Sequence, residues 1–189
     1  GKKHTLTDID VDLLNVFNQI TFDEKINEEK FEKNLSIIKS IEYKPEKINL
    51  ISFEGFTQTN YEVDVEKIFI RLNTLFSKCN YKLKILVTVR SQLTIIPSHF
   101  ANAPMVYQKR GKASWKYFKN FINDLKNIDN ISDKKLVEAY ERYKYFKLLN
   151  ILNKIFYQDN VRFFFYEEMV KNQKIFFDNI ASFMGIKSH

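Results

Sequence analysis

The sequence predicts an α/β fold in which a mainly parallel sheet is flanked by helices. Two observations carry that class. Three short runs, Ile48 to Phe53, Leu83 to Val89 and Val161 to Tyr166, are dominated by apolar, β-branched and aromatic residues without strict alternation. Strands covered on both faces read this way. Between and around these runs the apolar residues recur at helical spacing instead, so strands alternate with helices along the chain.

The elements follow in order. Two weaker amphipathic stretches, around Ile9 to Ile20 and Glu28 to Ile41, open the chain as helices. After the first strand, Val65, Ile68, Phe69, Leu72, Leu75 and Phe76 form one 3.6-period stripe that should stop at Cys79-Asn80. After the second strand come a helix on Trp115, Phe118, Phe121, Ile122 and Leu125, capped by Ser114, and a longer one on Leu136, Tyr140, Tyr143, Phe146, Leu149, Leu152 and Ile155. The last helix, on Phe176, Ile180, Phe183 and Met184, ends at Gly185, a residue suited to a left-handed stop.

With 189 residues, 44% of them apolar and with 18 Phe and 10 Tyr, the chain can close a real core, which excludes disorder and points to a single domain over residues 1–189. The lone Cys79 and the scattered His4, His99 and His189 offer neither a disulfide framework nor a Cys/His metal centre, so no metal is expected. No apolar run approaches the ~20 residues of a membrane-spanning helix. The start shows no apolar signal segment, and a cytoplasmic protein is expected. The formal charge of +7 admits an anionic partner, but the lysines alternate with acids and the aromatics lie on core faces, so nucleic acid is not the expected ligand.

In parallel sheets ligands bind beyond the carboxyl ends of the strands. Here those ends lead into Ser52-Phe53-Glu54-Gly55-Phe56, into Arg90-Ser91 and into Tyr166-Glu167-Glu168. A guanidinium, a carboxylate and a hydroxylated aromatic on one edge suit a phosphate-bearing nucleotide. The pattern equally admits that Arg90 pairs with a neighbouring acid and that Tyr166 belongs to the core.

The segment Lys84-Ile85-Leu86-Val87-Thr88-Val89-Arg90, with Ser98 eight residues after the arginine, resembles the 3′-phosphate-binding element of the sulfotransferases that use 3′-phosphoadenylyl sulfate. Val161-Arg162-Phe163-Phe164-Phe165-Tyr166-Glu167-Glu168-Met169-Val170, running on to Ile180-Ala181-Ser182-Phe183-Met184-Gly185-Ile186, is similar to the same family's late strand, Tyr-Glu-Asp-Leu turn and Phe-Leu-Gly helix end. The resemblance spans roughly residues 48 to 186 and implies a three-layer fold like that of the P-loop nucleotide hydrolases. It implies transfer of a sulfuryl group from 3′-phosphoadenylyl sulfate to an acceptor hydroxyl or amine, with a small molecule or glycan as acceptor and no metal. Cofactor binding falls to Arg90 and Ser98 at the 3′-phosphate and to Tyr166 near the adenine. A dianionic phosphate is well served by a forked cation and a short hydroxyl near a helix start.

Three departures accompany the match. Glu168 stands where the family prefers Asp, and Gln92 where it places Pro; the proline here is Pro97, which fits only in a first helical turn, so a helix start near Leu93 is expected. The glycines, Gly1, Gly55, Gly111 and Gly185, build no Gly-Lys-Ser/Thr donor loop, so the chain is expected to begin after that loop, with ~30 or more residues preceding it. Two candidates concern the acceptor. Glu54 either orients and deprotonates the acceptor hydroxyl or caps the next helix. Tyr107, Lys109, Arg110 and Lys112 form a basic loop that either attracts an acidic glycan or is simply solvated. The rival to an enzyme is a non-catalytic nucleotide- or glycan-binding module of the same fold.

Overall fold

A computed structural model describes residues 11–40, 50–51, 56, 63–102, 115–130 and 143–186. It is mostly helical with a small parallel sheet, an α/β protein as the apolar pattern predicts. The helices are α1 (Val11–Phe22), α2 (Glu28–Ser40), α3 (Val65–Lys78), α4 (Gln92–Asn102), α5 (Trp115–Lys126), α6 (Tyr145–Phe156), α7 (Tyr166–Lys171) and α8 (Gln173–Met184). The strands are β1 (Ile85–Val89) and β2 (Val161–Phe165), hydrogen-bonded neighbours in one sheet. The chain divides into two compact units, Gly1–Ile85 with Asn150–Asn160, and Leu86–Leu149 with Val161–His189.

The first unit is built on α3. Asp64 caps it, its carboxylate accepting the Lys67 N–H at 2.8 Å, and the expected stripe is buried from Ile68 through Phe76. The helix stops where Cys79-Asn80 predicts: Asn80 takes φ +60°, and the Asn80 and Tyr81 N–H groups return to the Ser77 and Phe76 carbonyls. Around this stripe close Val16, Phe17 and Ile20 of α1, Leu35 and Ile38 of α2, Val63, and Leu152 and Phe156 of α6. Phe69 meets Phe156 edge-on at 6.0 Å, and Phe56 bridges Phe17 and Phe69. Of the predicted first strand, Ile48 to Phe53, only Leu50 and Ile51 are described; they carry no strand pairing and are exposed.

In the second unit the sheet packs one face on helices. Phe164 lies between Phe176 and Phe183 of α8, ring centres 5.8 and 6.2 Å away, with Leu86, Met169 and Ile180 around them. The expected burial on both strand faces holds only in part: Val161 and Phe164, on opposite faces of β2, are buried, whereas Arg162 and Phe165 of β2 and Thr88 of β1 are exposed. At the end of α8, Gly185 adopts φ +80°, and the N–H groups of Gly185 and Ile186 satisfy the Ser182 and Ala181 carbonyls.

Two expected helices differ in detail. The stripe read from Leu136 to Ile155 is not one helix through its described part. Tyr143 is a turn residue, and α6 begins only at Tyr145. The Tyr143 carbonyl is taken by the Gln92 side-chain amide at 2.6 Å, and its ring is buried edge-on against Phe121. Phe146, which the stripe would bury, is exposed. Pro97 is the second case. α4 starts at Gln92, which puts Pro97 past the first turn, inside the helix. Its missing N–H would have bonded to Leu93, a residue 88% exposed, so water can serve the orphaned carbonyl and the usual interior penalty is softened.

Candidate functional site

The polar end of the second unit's sheet is assembled from three segments. β1 ends at Val89 because the next residues turn into α4: the Ser91 carbonyl accepts the Thr94 and Ile95 N–H groups at 3.0 and 2.9 Å. Arg90 therefore stands on the last extended residue before a helix, half-buried. β2 ends at Phe165 and runs directly into α7, which begins with Tyr166 and Glu167.

These ends meet through side chains. The Arg90 Nε–H donates to Thr94 Oγ1 at 3.1 Å, and the guanidinium lies 5.4 Å from the centre of the Tyr166 ring. That stacking is worth about 0.5–1 kcal/mol at a partly exposed position. The Glu167 carboxylate accepts the Ser91 N–H at 2.9 Å, and the Thr94 hydroxyl approaches the same oxygen at 3.5 Å while also reaching the Ser91 carbonyl at 3.0 Å. The Ser91 N–H, foremost, and Glu167's own N–H hold this carboxyl below the ordinary glutamate range; burial opposes them, and the Arg90 charge and Thr94 hydroxyl assist. Burial pushes the nearby Tyr145 hydroxyl up, with the Arg90 backbone N–H pulling the other way and the Glu167 charge adding to the rise.

The guanidinium, carboxylate and aromatic thus do converge at one end of the sheet. Arg90 makes no ion pair within 4 Å among the described residues, although its charge acts on Glu167, and Tyr166 is 38% exposed. Arg90 carries five N–H donors, of which only the Nε–H is bonded among the described residues; those on Nη1 and Nη2 are unspent. Such a fork beside an exposed ring can receive an anion attached to a flat heterocycle.

Ser98 lies in α4, half-buried and more than a full turn beyond Gln92, so it is not near the helix start and the first turn's open N–H groups are not beside it. Glu54, Tyr107, Lys109, Arg110 and Lys112 lie outside the described residues, as does Ser114. Thr94 and Tyr145 carried no signal, although Thr94 stands one helical turn from Arg90. A groove of about 230 Å³ between α7 and α8, lined by Glu168, Lys171, Asn172, Ile175, Phe176 and Asn179, shares no residue with the Arg90 cluster and is smaller than ordinary ligand pockets. Among the described residues no His, Cys, Asp and Glu side chains group to hold a metal, and no helix is long and apolar enough to cross a membrane.

Comparison with known proteins adds one finding: the family model described as "Sulfotransferase domain" matches residues 12–189. No curated protein and no solved structure matches the chain.

Proposed function

The chain belongs to the sulfotransferase domain family, and on that premise we propose that it moves a sulfuryl group from 3′-phosphoadenylyl sulfate to a hydroxyl or amine, a carbohydrate being the favoured acceptor. The observation that supports this donor is Arg90, whose unspent Nη donors flank an exposed Tyr166 ring at the end of β1. In this reading the Arg90 fork binds the donor's 3′-phosphate, Ser98 adds a hydroxyl from α4, and Tyr166 borders the adenine. The donor supplies the activated sulfuryl group. The chain's own residues bind and orient it, as in other transfers where catalysis is chiefly positioning and charge stabilisation. Glu54 is the candidate for orienting the acceptor hydroxyl, and Tyr107, Lys109, Arg110 and Lys112 are candidates for drawing an acidic glycan toward it.

Calorimetry with 3′,5′-adenosine bisphosphate and with 5′-AMP tests the assignment. Arg90→Ala should weaken the bisphosphate by roughly tenfold to hundredfold, about 1.5–3 kcal/mol, and leave AMP nearly unchanged. Ser98→Ala should show the same selectivity at smaller size. Equal losses for both ligands in a folded variant would remove Arg90 from the 3′-phosphate. Selective binding without transfer to any acceptor would favour the non-catalytic module.

A further inference from the structure

We infer that Glu167 is a positioning residue for Arg90, one carboxylate that orders both the turn on which the arginine stands and the direction of its side chain. The inference rests on the proposed role of Arg90 as the phosphate fork. The chain of contacts is short. Glu167 Oε1 accepts the N–H of Ser91, the residue that follows Arg90, at 2.9 Å. The same oxygen lies 3.5 Å from Thr94 Oγ1, which accepts the Arg90 Nε–H at 3.1 Å. Glu167 also follows Tyr166, whose ring the guanidinium faces at 5.4 Å. An arginine side chain has many rotamers, and a fork held in place before its ligand arrives loses less freedom on binding.

The arrangement carries two opposed effects. As an acceptor, Glu167 orders the turn. As a charge, it repels an incoming phosphate, while Arg90 attracts one. Among the described residues the Tyr145 hydroxyl of α6 also lies beside it, and burial pushes its pKa up. A glutamine in place of Glu167 keeps the acceptor and removes the charge; an alanine removes both.

The test is a binding cycle on the full chain with 3′,5′-adenosine bisphosphate and 5′-AMP, each variant checked for fold by circular dichroism. Glu167→Ala should weaken the bisphosphate by about fivefold to tenfold with AMP within about twofold, and Glu167→Gln should stay within about threefold of the parent. In the Arg90→Ala background, Glu167→Ala should cost nothing further, because Glu167 acts only through the arginine. A general structural role would reduce AMP binding too and would add to the Arg90 loss, and either result overturns the inference. If Glu167→Ala does not fold, the glutamine variant decides alone: a tenfold loss for the bisphosphate refutes the proposal, retention supports it. If Arg90→Ala itself leaves the bisphosphate untouched, both this inference and the proposed function fall. If Arg90→Ala is selective while Glu167→Ala is silent, only this inference does.

Discussion

Arg71 and Arg90 show the two units at work with the same side chain. On α3 in the first unit, Arg71 donates from Nη1 to the Ile20 and Asp23 carbonyls at 3.0 and 2.7 Å and from Nη2 to the Glu24 carbonyl at 2.8 Å. It closes the carbonyl end of α1, where a cation also meets the negative end of the helix dipole. Burial draws its pKa down against the charges of Asp23 and Asp64. Its fork is turned inward and consumed. In the second unit Arg90 gives only Nε to its own chain among the described residues.

The cores differ in the same sense. Among the described residues, the largest fully buried side chains, Ile20, Ile38, Ile68, Leu75 and Leu152 among them, all belong to the first unit. The second unit's core residues keep a few per cent of exposure each, and Phe165, Tyr166, Ile175 and Phe177 are open to solvent. A closed apolar interior suits a scaffold. A sheet end that leaves polar and aromatic groups accessible suits recognition.

The largest effect that would sharpen this contrast is in the cores. Leu75→Ala, at a site with no exposure, should lower unfolding free energy by about 2–5 kcal/mol in urea titration, whereas Ile175→Ala, 57% exposed, should stay within about 0.5 kcal/mol. Comparable losses at both would break the distinction. Next come the arginines. Arg71→Ala should cost about 1–2 kcal/mol of stability, since three carbonyls of a part-buried turn lose a charged donor, while Arg90→Ala should change stability by less than about 0.5 kcal/mol. Arg90 unfolding the chain as readily as Arg71 would make it structural.

Gly185→Ala is expected to cost about 1 kcal/mol by thermal melting, through backbone strain alone, because an added Cβ there meets nothing within 4 Å and φ is +80°. The smallest effect is a titration. Glu167 holds its carboxyl below the ordinary glutamate range, so the contact with Ser91 is stabilising above the unfolded-state value and is lost as pH falls through the lower folded-state one. The Ser91 amide resonance should therefore shift with a midpoint below the usual glutamate value. A midpoint at or above the ordinary value would mean the Ser91 contact does not form in solution.

What the sequence determined by itself is what neighbours along the chain decide. The α3 stripe, its stop at Asn80 and the left-handed Gly185 depend on side chains a few residues apart and on backbone conformations open to Asn and Gly, so periodicity and residue type suffice. Even the Arg90 and Tyr166 ends of the sheet were legible, since a strand's exit is marked where its apolar run stops. Tertiary structure decided the rest. The Tyr143 carbonyl, at the break, bonds to Gln92, 51 positions away, and no stripe records it. Pro97 sits inside α4 because the carbonyl it orphans lies at exposed Leu93, a matter of which face meets water. The use of Glu167 depends on an amide 76 residues distant, and the difference between Arg71 and Arg90 on which carbonyls the fold brings near each fork. Local sequence encodes conformation because its energies are local; the partner of a polar group, such as the Ser91 amide for Glu167, is chosen only when the chain closes.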